Sequence, residues 1–181
     1  MNQPLTIIQL GHPLLRQSAR PVTDIASDRR QQLIDRLIVT AQQAQGVGIA
    51  APQVAHSDRL FIVASHPNAR YPKAPTMPPT AMINPEIVAH GEQQVKAWEG
   101  CLSLPGIRGQ VPRYSEIEVV YWDRHGDRQQ QVLTGFVARI FQHELDHLNG
   151  LVFLDRVEST ADLMSEQVYQ ERVMGAGLGS R

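Results

Sequence analysis

The stretch QHELDHLNG, residues 142–150, contains two histidines four positions apart, with a glutamate directly after the first. On an α-helix, positions i and i+4 lie on one face, about 5–6 Å apart at Cβ. His143 and His147 could therefore bind one cation, and Glu144 could act as a general base on a water activated by that cation. The stretch predicts a metal-binding helix; the alternative is a solvated, salt-bridged helix face.

Two histidines do not complete a catalytic metal site, which usually has three protein ligands and a water. In one class of HExxH protease the third ligand is a histidine ten residues after the first, and Phe153 at that position excludes the class. In other HExxH proteases a glutamate follows further along, and Glu166 lies near that spacing. The sole cysteine, Cys101, lies upstream in EGCLSLPG (99–106) and would have to be brought in by the fold. Spacing alone leaves both candidates open.

The segment GVGIAAPQ, residues 46–53, follows a helix rather than a strand and lacks the lysine of a phosphate-binding loop. It predicts a helix C-cap with Gly46 at C′, followed by a turn of small residues that lets another backbone approach closely. Gln53 would then be a rigidly held neutral amide, which is a suitable hydrogen-bond donor to an oxyanion.

The rest of the chain predicts helices and hairpin-connected strands. Periodic apolar residues predict helices from Ser27 to Gln45, from Thr134 to Gly150 and over about 160–173, where Ser159 and Asp162 form a weak capping box. Apolar or alternating runs predict strands at 60–64, 81–88, 93–98, 116–122 and 129–134. We therefore expect an α+β fold in which antiparallel sheets pack around a central metal-binding helix, with an N-terminal helix and a C-terminal helix.

The length of 181 residues suits a single domain, 1–181. Residues 65–80 contain five prolines and predict a surface loop; the alternative is that they line a substrate groove. The tail, 175–181, is expected to be frayed.

Composition argues against several classes of protein. The 17 Lys and Arg against 18 Asp and Glu leave a net charge of −1, which does not favour direct sequence-specific binding of nucleic acid. No apolar run approaches the roughly 18 residues that a membrane span needs, and the start of the chain lacks the basic segment of a secretory signal. The single cysteine allows no internal disulfide, which fits a reducing compartment. We therefore expect a cytoplasmic protein without a membrane partner.

Three motifs together resemble those of the peptide deformylase family. They are GVGIAAPQ, EGCLSLPG and QHELDHLNG, in this order and at these separations. The resemblance runs from about residue 5 to residue 157 and includes GHPLLR near the start. It implies a metal-dependent hydrolase that removes the N-formyl group from the initiator formyl-methionine of nascent polypeptides and releases formate.

The resemblance also implies roles for individual residues. The metal ligands would be Cys101, His143 and His147, with Glu144 as general base and acid. Gln53 and the backbone N–H of Leu102 would stabilise the oxyanion. The implied substrate-binding residues are Val47, Gly48, Ile49, Glu99, Gly100, Arg108, Phe136 and Ile140. Within that set, Gly48 and Gly100 would pair with the extended substrate, Val47, Phe136 and Ile140 would form the methionine pocket, and Arg108 would meet the peptide further along. Glu99 and Arg113 could brace the site.

The implied cofactor is one divalent metal ion per chain, Fe²⁺ in the cell, with Zn²⁺, Ni²⁺ or Co²⁺ able to replace it in preparations. Affinity order favours nickel or zinc over iron at the same ligands, so the sequence does not decide which metal is loaded. The implied partners are N-formyl-Met nascent peptides at the ribosome exit, and we expect a monomer.

Two other readings stay open at this point. One is a zinc endopeptidase that uses His143, His147 and Glu166, although such folds generally need a larger second lobe around the cleft. The other is a metal-stabilised binding module without catalysis. The presence of Glu144 and Gln53 argues against the binding module, because a structural metal site needs neither.

Overall fold

Helix α2 (Gly135–Leu148) lies against strands of both sheets, at the centre of the part of the chain, residues 3–175, that this computed structural model describes. The other helices are α1 (Asp28–Gln43) and the one-turn α3 (Glu166–Tyr169), which continues as a π-helical turn over Gln170–Met174. The strands are β1 (Gly48–Ala50), β2 (Leu60–Val63), β3 (Thr80–His90), β4 (Gln94–Cys101), β5 (Leu104–Tyr114), β6 (Glu116–Trp122), β7 (Arg128–Thr134) and β8 (Leu163–Ser165).

The strands form two antiparallel sheets, with the order β1-β2-β3-β6-β7 in one and β4-β5-β8 in the other. One core cluster packs α2 on the larger sheet through Phe141, whose ring meets Phe61 of β2 edge-on at 5.1 Å. A second cluster packs α1 on the same sheet, and a smaller one lies beneath β5. The expected α+β fold, with antiparallel sheets around a central helix, is confirmed.

The ends of the two long helices follow the sequence signals in part. The Ser27 side chain accepts a hydrogen bond from Arg30 N, as an N-cap should, and α2 stops before Gly150, which has a φ of +74°. The left-handed residue after α1 is Gln45, with a φ of 52°, so the prediction that Gly46 occupies C′ is wrong. Gly46 instead allows close packing, because a Cβ there would lie 2.9 Å from Leu102 Cδ1.

The predicted C-terminal helix over 160–173 is wrong in its first half. Ser159 caps only a short 3₁₀ turn (Thr160–Asp162), and the following residues form β8, which pairs with Ile107–Gly109 of β5. The helix starts at Glu166, where Ser165 Oγ accepts from Val168 N. Pairing with the edge of β5 satisfies backbone groups of these residues that a helical turn would otherwise satisfy.

Strand β5 was not predicted from the sequence, because Pro105, Gly106, Gly109 and Pro112 interrupt its pattern. The expected frayed tail lies outside the described residues, apart from Gly175. Among residues 3–175, no helix combines the length and apolar character that a bilayer span requires.

Candidate active site

Three side chains that could hold a metal ion converge where β4 meets α2. The ligand atoms of Cys101, His143 and His147 all lie within 4.8 Å of one another, and Cys101 Sγ is 3.3 Å from His147 Nε2. One turn of α2 separates the two histidines, and a register shift in β4 between Glu99 and Cys101 turns the chain at the cysteine. The fold therefore brings the upstream cysteine to the helix, as the resemblance implied.

The donor set suits a divalent transition metal. One thiol and two imidazoles are ligands that zinc and iron accept, and three protein donors leave a coordination position for water or substrate. Burial lowers the pKa of His147 well below its usual value. Burial acts the same way on His143, but hydrogen bonds to Cys101 and Glu99 raise its pKa well above the usual value. A cation at this position requires both rings neutral at the ligating nitrogen.

Glu144 is buried next to the three donors. Its Oε2 atom has no hydrogen-bond partner among residues 3–175, and burial raises the pKa of this carboxyl to about 7. A Cβ at Gly48 would lie 2.5 Å from Glu144 Oε1, so the glycine makes room for the carboxylate at the cleft. A buried carboxylate with one unpartnered oxygen and a pKa near neutral fits a group that exchanges protons with a bound molecule.

A buried ionic network holds the first histidine. Glu99 Oε2 lies 2.8 Å from His143 Nδ1, and both Glu99 oxygens accept from Arg113, at 3.0 and 3.1 Å. Arg113 Nη1 also donates to Asp146 of α2 at 2.6 Å. Burial alone would raise the pKa of Glu99, but the Arg113 charge and the His143 hydrogen bond lower it far below its usual range. Glu99 is therefore an ionised group that fixes the ring orientation of His143.

Gln53 lies on the other side of the cysteine. Its Oε1 atom accepts from Ala50 N at 2.8 Å, and its Nε2 points toward Cys101 Sγ at 3.4 Å and Ser103 Oγ at 3.2 Å. The amide is thus held rigidly with its donor end toward the candidate metal ligands. The N-terminal segment ties the two motifs together, because Ile8 N donates to Gln53 O and Leu10 N to Ser103 O, both at 2.9 Å.

A cleft of about 220 Å³ opens beside the three donors. Most of the residues that the sequence nominated line it: Val47, Gly48, Gln53, Glu99, Gly100, Cys101, Leu102, Arg108, Phe136, Ile140, His143 and Glu144. Ile49 does not; its side chain is fully buried in the core beneath α1, so only its backbone remains a prediction for substrate binding. Neighbouring residues of a strand point to opposite faces, and Gly48 faces the cleft.

Arg108 lies beneath the cleft wall rather than free at its surface. The side chain is 2% exposed, and its guanidinium donates to both oxygens of Glu166, at 2.5 and 3.0 Å. A Cβ at Gly100 would lie 2.8 Å from Arg108 Nη1, so the guanidinium supports that strand from below. Glu166, the alternative third metal ligand, is occupied by this ion pair and is not part of the three-donor group.

Several cleft residues were missed by the sequence reasoning, and Arg139, Trp98 and Tyr71 are three of them. Arg139 donates to Glu99 Oε1 and to Val111 O, both at 2.8 Å, and its position one turn before His143 on α2 was a usable signal. Trp98 and Tyr71 also line the cleft. Tyr71 belongs to the proline-rich segment 65–80, so interpreting that whole segment as plain surface does not hold at this residue. No local sequence pattern indicates that contact.

Comparisons with known proteins agree with the motifs. The polypeptide deformylase family model matches residues 4–162. Peptide deformylase 2 of Nostoc sp. is 63% identical over 169 residues, covering 93% of this chain and 94% of that protein. Peptide deformylase 2 of Shewanella oneidensis is 48% identical over 86% of this chain and 85% of its own. The Met-Ala-Ser-bound crystal structure of class I type b peptide deformylase from Acinetobacter baumannii superposes with a TM-score of 0.84, at 44% identity, covering 87% of this chain and all of that one.

Proposed function

The chain belongs to the polypeptide deformylase family, and we propose that it hydrolyses the N-formyl group of the initiator formyl-methionine on nascent polypeptides, releasing formate. The observation that carries the proposal is the buried carboxylate of Glu144, whose Oε2 has no partner in the described part of the chain, beside three converging candidate metal ligands on a cleft. A formamide is a poor electrophile and water is a poor nucleophile, so the reaction needs both activated.

Cys101, His143 and His147 would hold the metal ion. A divalent cation there supplies Lewis acidity, which can lower the pKa of water from about 16 to about 7. We propose Fe²⁺ as the ion in the cell, with Zn²⁺, Ni²⁺ or Co²⁺ able to replace it, because imidazole and thiolate donors accept all four.

Glu144 is proposed as the proton carrier. Its carboxylate accepts the proton of the attacking water at Oε2 and later delivers it to the amine that leaves. Its raised pKa, about 7, suits both directions of transfer near neutral pH.

Gln53 Nε2 and the backbone N–H of Leu102 are proposed as the donors to the oxyanion that develops on the formyl oxygen. The Gln53 amide is held at Oε1 by Ala50 N, which keeps its donor end directed toward the candidate metal ligands. One such donor is typically worth about 10²–10³ in rate.

The substrate is proposed to lie extended along the cleft, between the backbone groups of Gly48 and Gly100. Val47, Phe136 and Ile140 line the cleft and are proposed to form the pocket for the methionine side chain. Glu99 and Arg113 act through His143 rather than on the peptide, and Arg108 acts through the Gly100 strand. We propose nascent chains at the ribosome exit as the natural substrates, met by a monomer in the cytoplasm.

The Arg108–Glu166 ion pair disfavours the zinc endopeptidase alternative, since it removes the glutamate which that reading needs as a ligand. If the endopeptidase were correct, Glu166→Gln would lose metal and Cys101→Ser would keep it. We expect the reverse.

The deciding experiment is formate release from formyl-Met-Ala-Ser by anaerobically purified protein loaded with iron or nickel. Acetyl-Met-Ala-Ser serves as the matched control. Fast release of formate, with the acetyl peptide spared, supports the proposal. A folded, fully metallated sample that releases none would favour the non-catalytic binding module.

A further inference from the structure

Tyr71 lies over the cleft although it belongs to the proline-rich segment 65–80. Its ring packs on Phe136 at a centroid distance of 4.9 Å and a tilt of 50°, and both residues line the cleft. Phe136 in turn belongs to the apolar group assigned above to the methionine side chain. The proline-rich segment therefore places an aromatic ring against that pocket.

The position of Tyr71 is fixed from three sides. Its hydroxyl accepts from Arg108 Nη1 at 3.2 Å, and the Arg108 guanidinium lies 5.7 Å from the ring centre. Its backbone N–H donates to the Asn68 side chain at 2.9 Å, which closes a local turn. A ring held by stacking, a hydroxyl contact and a backbone turn presents a defined surface rather than a mobile one.

The same guanidinium also contacts two residues of helix α3. Arg108 lies 4.9 Å from the ring centre of Tyr169 and is ion-paired with Glu166, while Tyr169 meets Trp98 edge-on at 5.5 Å. The proline-rich segment and helix α3 thus dock on one buried charge. Helix α3 therefore supports, through Arg108, the part of the cleft wall that Tyr71 forms.

We propose that Tyr71 is a specificity-determining residue that forms the outer wall of the first-residue pocket and selects an unbranched, methionine-sized side chain. The proposal deepens the proposed function and rests on it. A smaller side chain in the substrate would leave the Tyr71 and Phe136 rings uncovered, and loss of the ring would leave a methionine partly in water. Burying about 50 Å² of apolar surface corresponds to about tenfold in affinity, which sets the size of the effect.

The test compares Tyr71→Ala, Tyr71→Phe and Lys73→Ala, each loaded with metal. Lys73 is an exposed residue of the same segment and controls for general loop disturbance. Calorimetry gives the dissociation constants of Met-Ala-Ser and Ala-Ala-Ser, and their ratio is the selectivity of the pocket. Thermal melting checks that each variant is folded, and Tyr71→Phe keeps the ring if Tyr71→Ala does not fold.

We expect Tyr71→Ala to lower the Met-over-Ala binding ratio about tenfold, with Tyr71→Phe and Lys73→Ala within threefold of the unaltered protein. In turnover of formyl-Met-Ala-Ser, Tyr71→Ala should raise KM about tenfold and change kcat less than threefold. An unchanged ratio in folded Tyr71→Ala would overturn the proposal, as would a change that follows the second residue, tested with Met-Leu-Ser. The binding ratio needs no turnover, so absence of formate release from the unaltered protein would count against the proposed function alone.

Discussion

His143 Nδ1 lies 2.8 Å from Glu99 Oε2, so the ring donates a hydrogen bond from Nδ1 to an ionised carboxylate. This contact leaves Nε2 facing Cys101 and His147. The carboxylate is held in turn by Arg113 and Arg139. If His143 binds a metal ion, Glu99 of β4, a strand far from this histidine in sequence, therefore determines which ring nitrogen is the ligand.

Glu99→Gln is expected to weaken metal binding about 10–100-fold, because the amide cannot accept from the ring and from two guanidiniums at once. The free energy of unfolding should also fall, by about 3–5 kcal/mol, since buried arginine charge loses its partner. Competition with a chelator measures the affinity, and urea unfolding measures the stability. Glu92→Gln, at an exposed site before β4, is the control. Equal metal affinity in the two variants would contradict the orienting role.

Glu144→Gln is expected to keep its metal and lose activity, by about 10²–10⁴-fold in kcat, because the amide cannot carry a proton. Metal analysis and formate release on the same sample give both quantities. Loss of the metal would instead make Glu144 a structural residue. The control is Glu171→Gln at an exposed site, which should have the metal content and formate release of the unaltered protein.

Gln53→Ala should lower kcat by about 10²–10³-fold with metal content unchanged, because one fixed donor to the oxyanion is removed. KM for formyl-Met-Ala-Ser should change little if the amide acts mainly in the transition state. Turnover at the level of the unaltered protein would remove Gln53 from the mechanism.

Cys101→Asp replaces the soft donor by a hard one and should shift metal preference away from zinc and toward harder ions. In the cobalt-loaded protein, the thiolate-to-metal absorption band should disappear while the protein stays folded. A variant that keeps this band would show that the thiolate is not a ligand.

The hydrogen bond from Arg108 lowers the pKa of Glu166 below its usual 4.5. A carboxyl whose folded-state pKa is lowered stabilises the protein above its unfolded-state pKa, and that contribution is lost as pH falls through the folded-state value. The unaltered protein should therefore have a higher free energy of unfolding than Glu166→Gln at pH 7, and this difference should shrink below about pH 4. Because Glu166 is about a third exposed, the charge-dependent part should be about 1 kcal/mol or less. Urea unfolding at several pH values measures it; a gap that stays constant would argue against the ion pair.

The elements that carry the chemistry were the most predictable from the sequence. Helix α2 has a strong apolar period and a glycine stop, so its two histidines could be placed on one face. Strand β5 was missed because its prolines and glycines imitate loop composition, and β8 was taken for helix because Ser159 and Asp162 imitate a helix start. Both outcomes depend on strand pairing with distant residues, which local propensity does not encode.

The same limit applies to the site. Residue types and order indicated the three candidate ligands and Glu144, but not that Arg139 and Asp146 would complete the network around Glu99 and Arg113. Nor could the proline content of 65–80 reveal that Tyr71 reaches Arg108. Such contacts are products of the assembled fold.

Docking of the N-terminal segment affects the order in which a refolding molecule regains metal binding and turnover. Ile8 and Leu10 bond to Gln53 and Ser103, which lie much further along the chain. Closing such long loops costs conformational entropy, and contacts of high sequence separation form slowly. The contact between Leu10 and Ser103 spans more of the chain than the contact between Cys101 and His147, so a refolding chain can bring the three candidate ligands together before the N-terminal segment docks. Metal uptake and turnover need not return together, and the delay between them would report the docking of the first few residues.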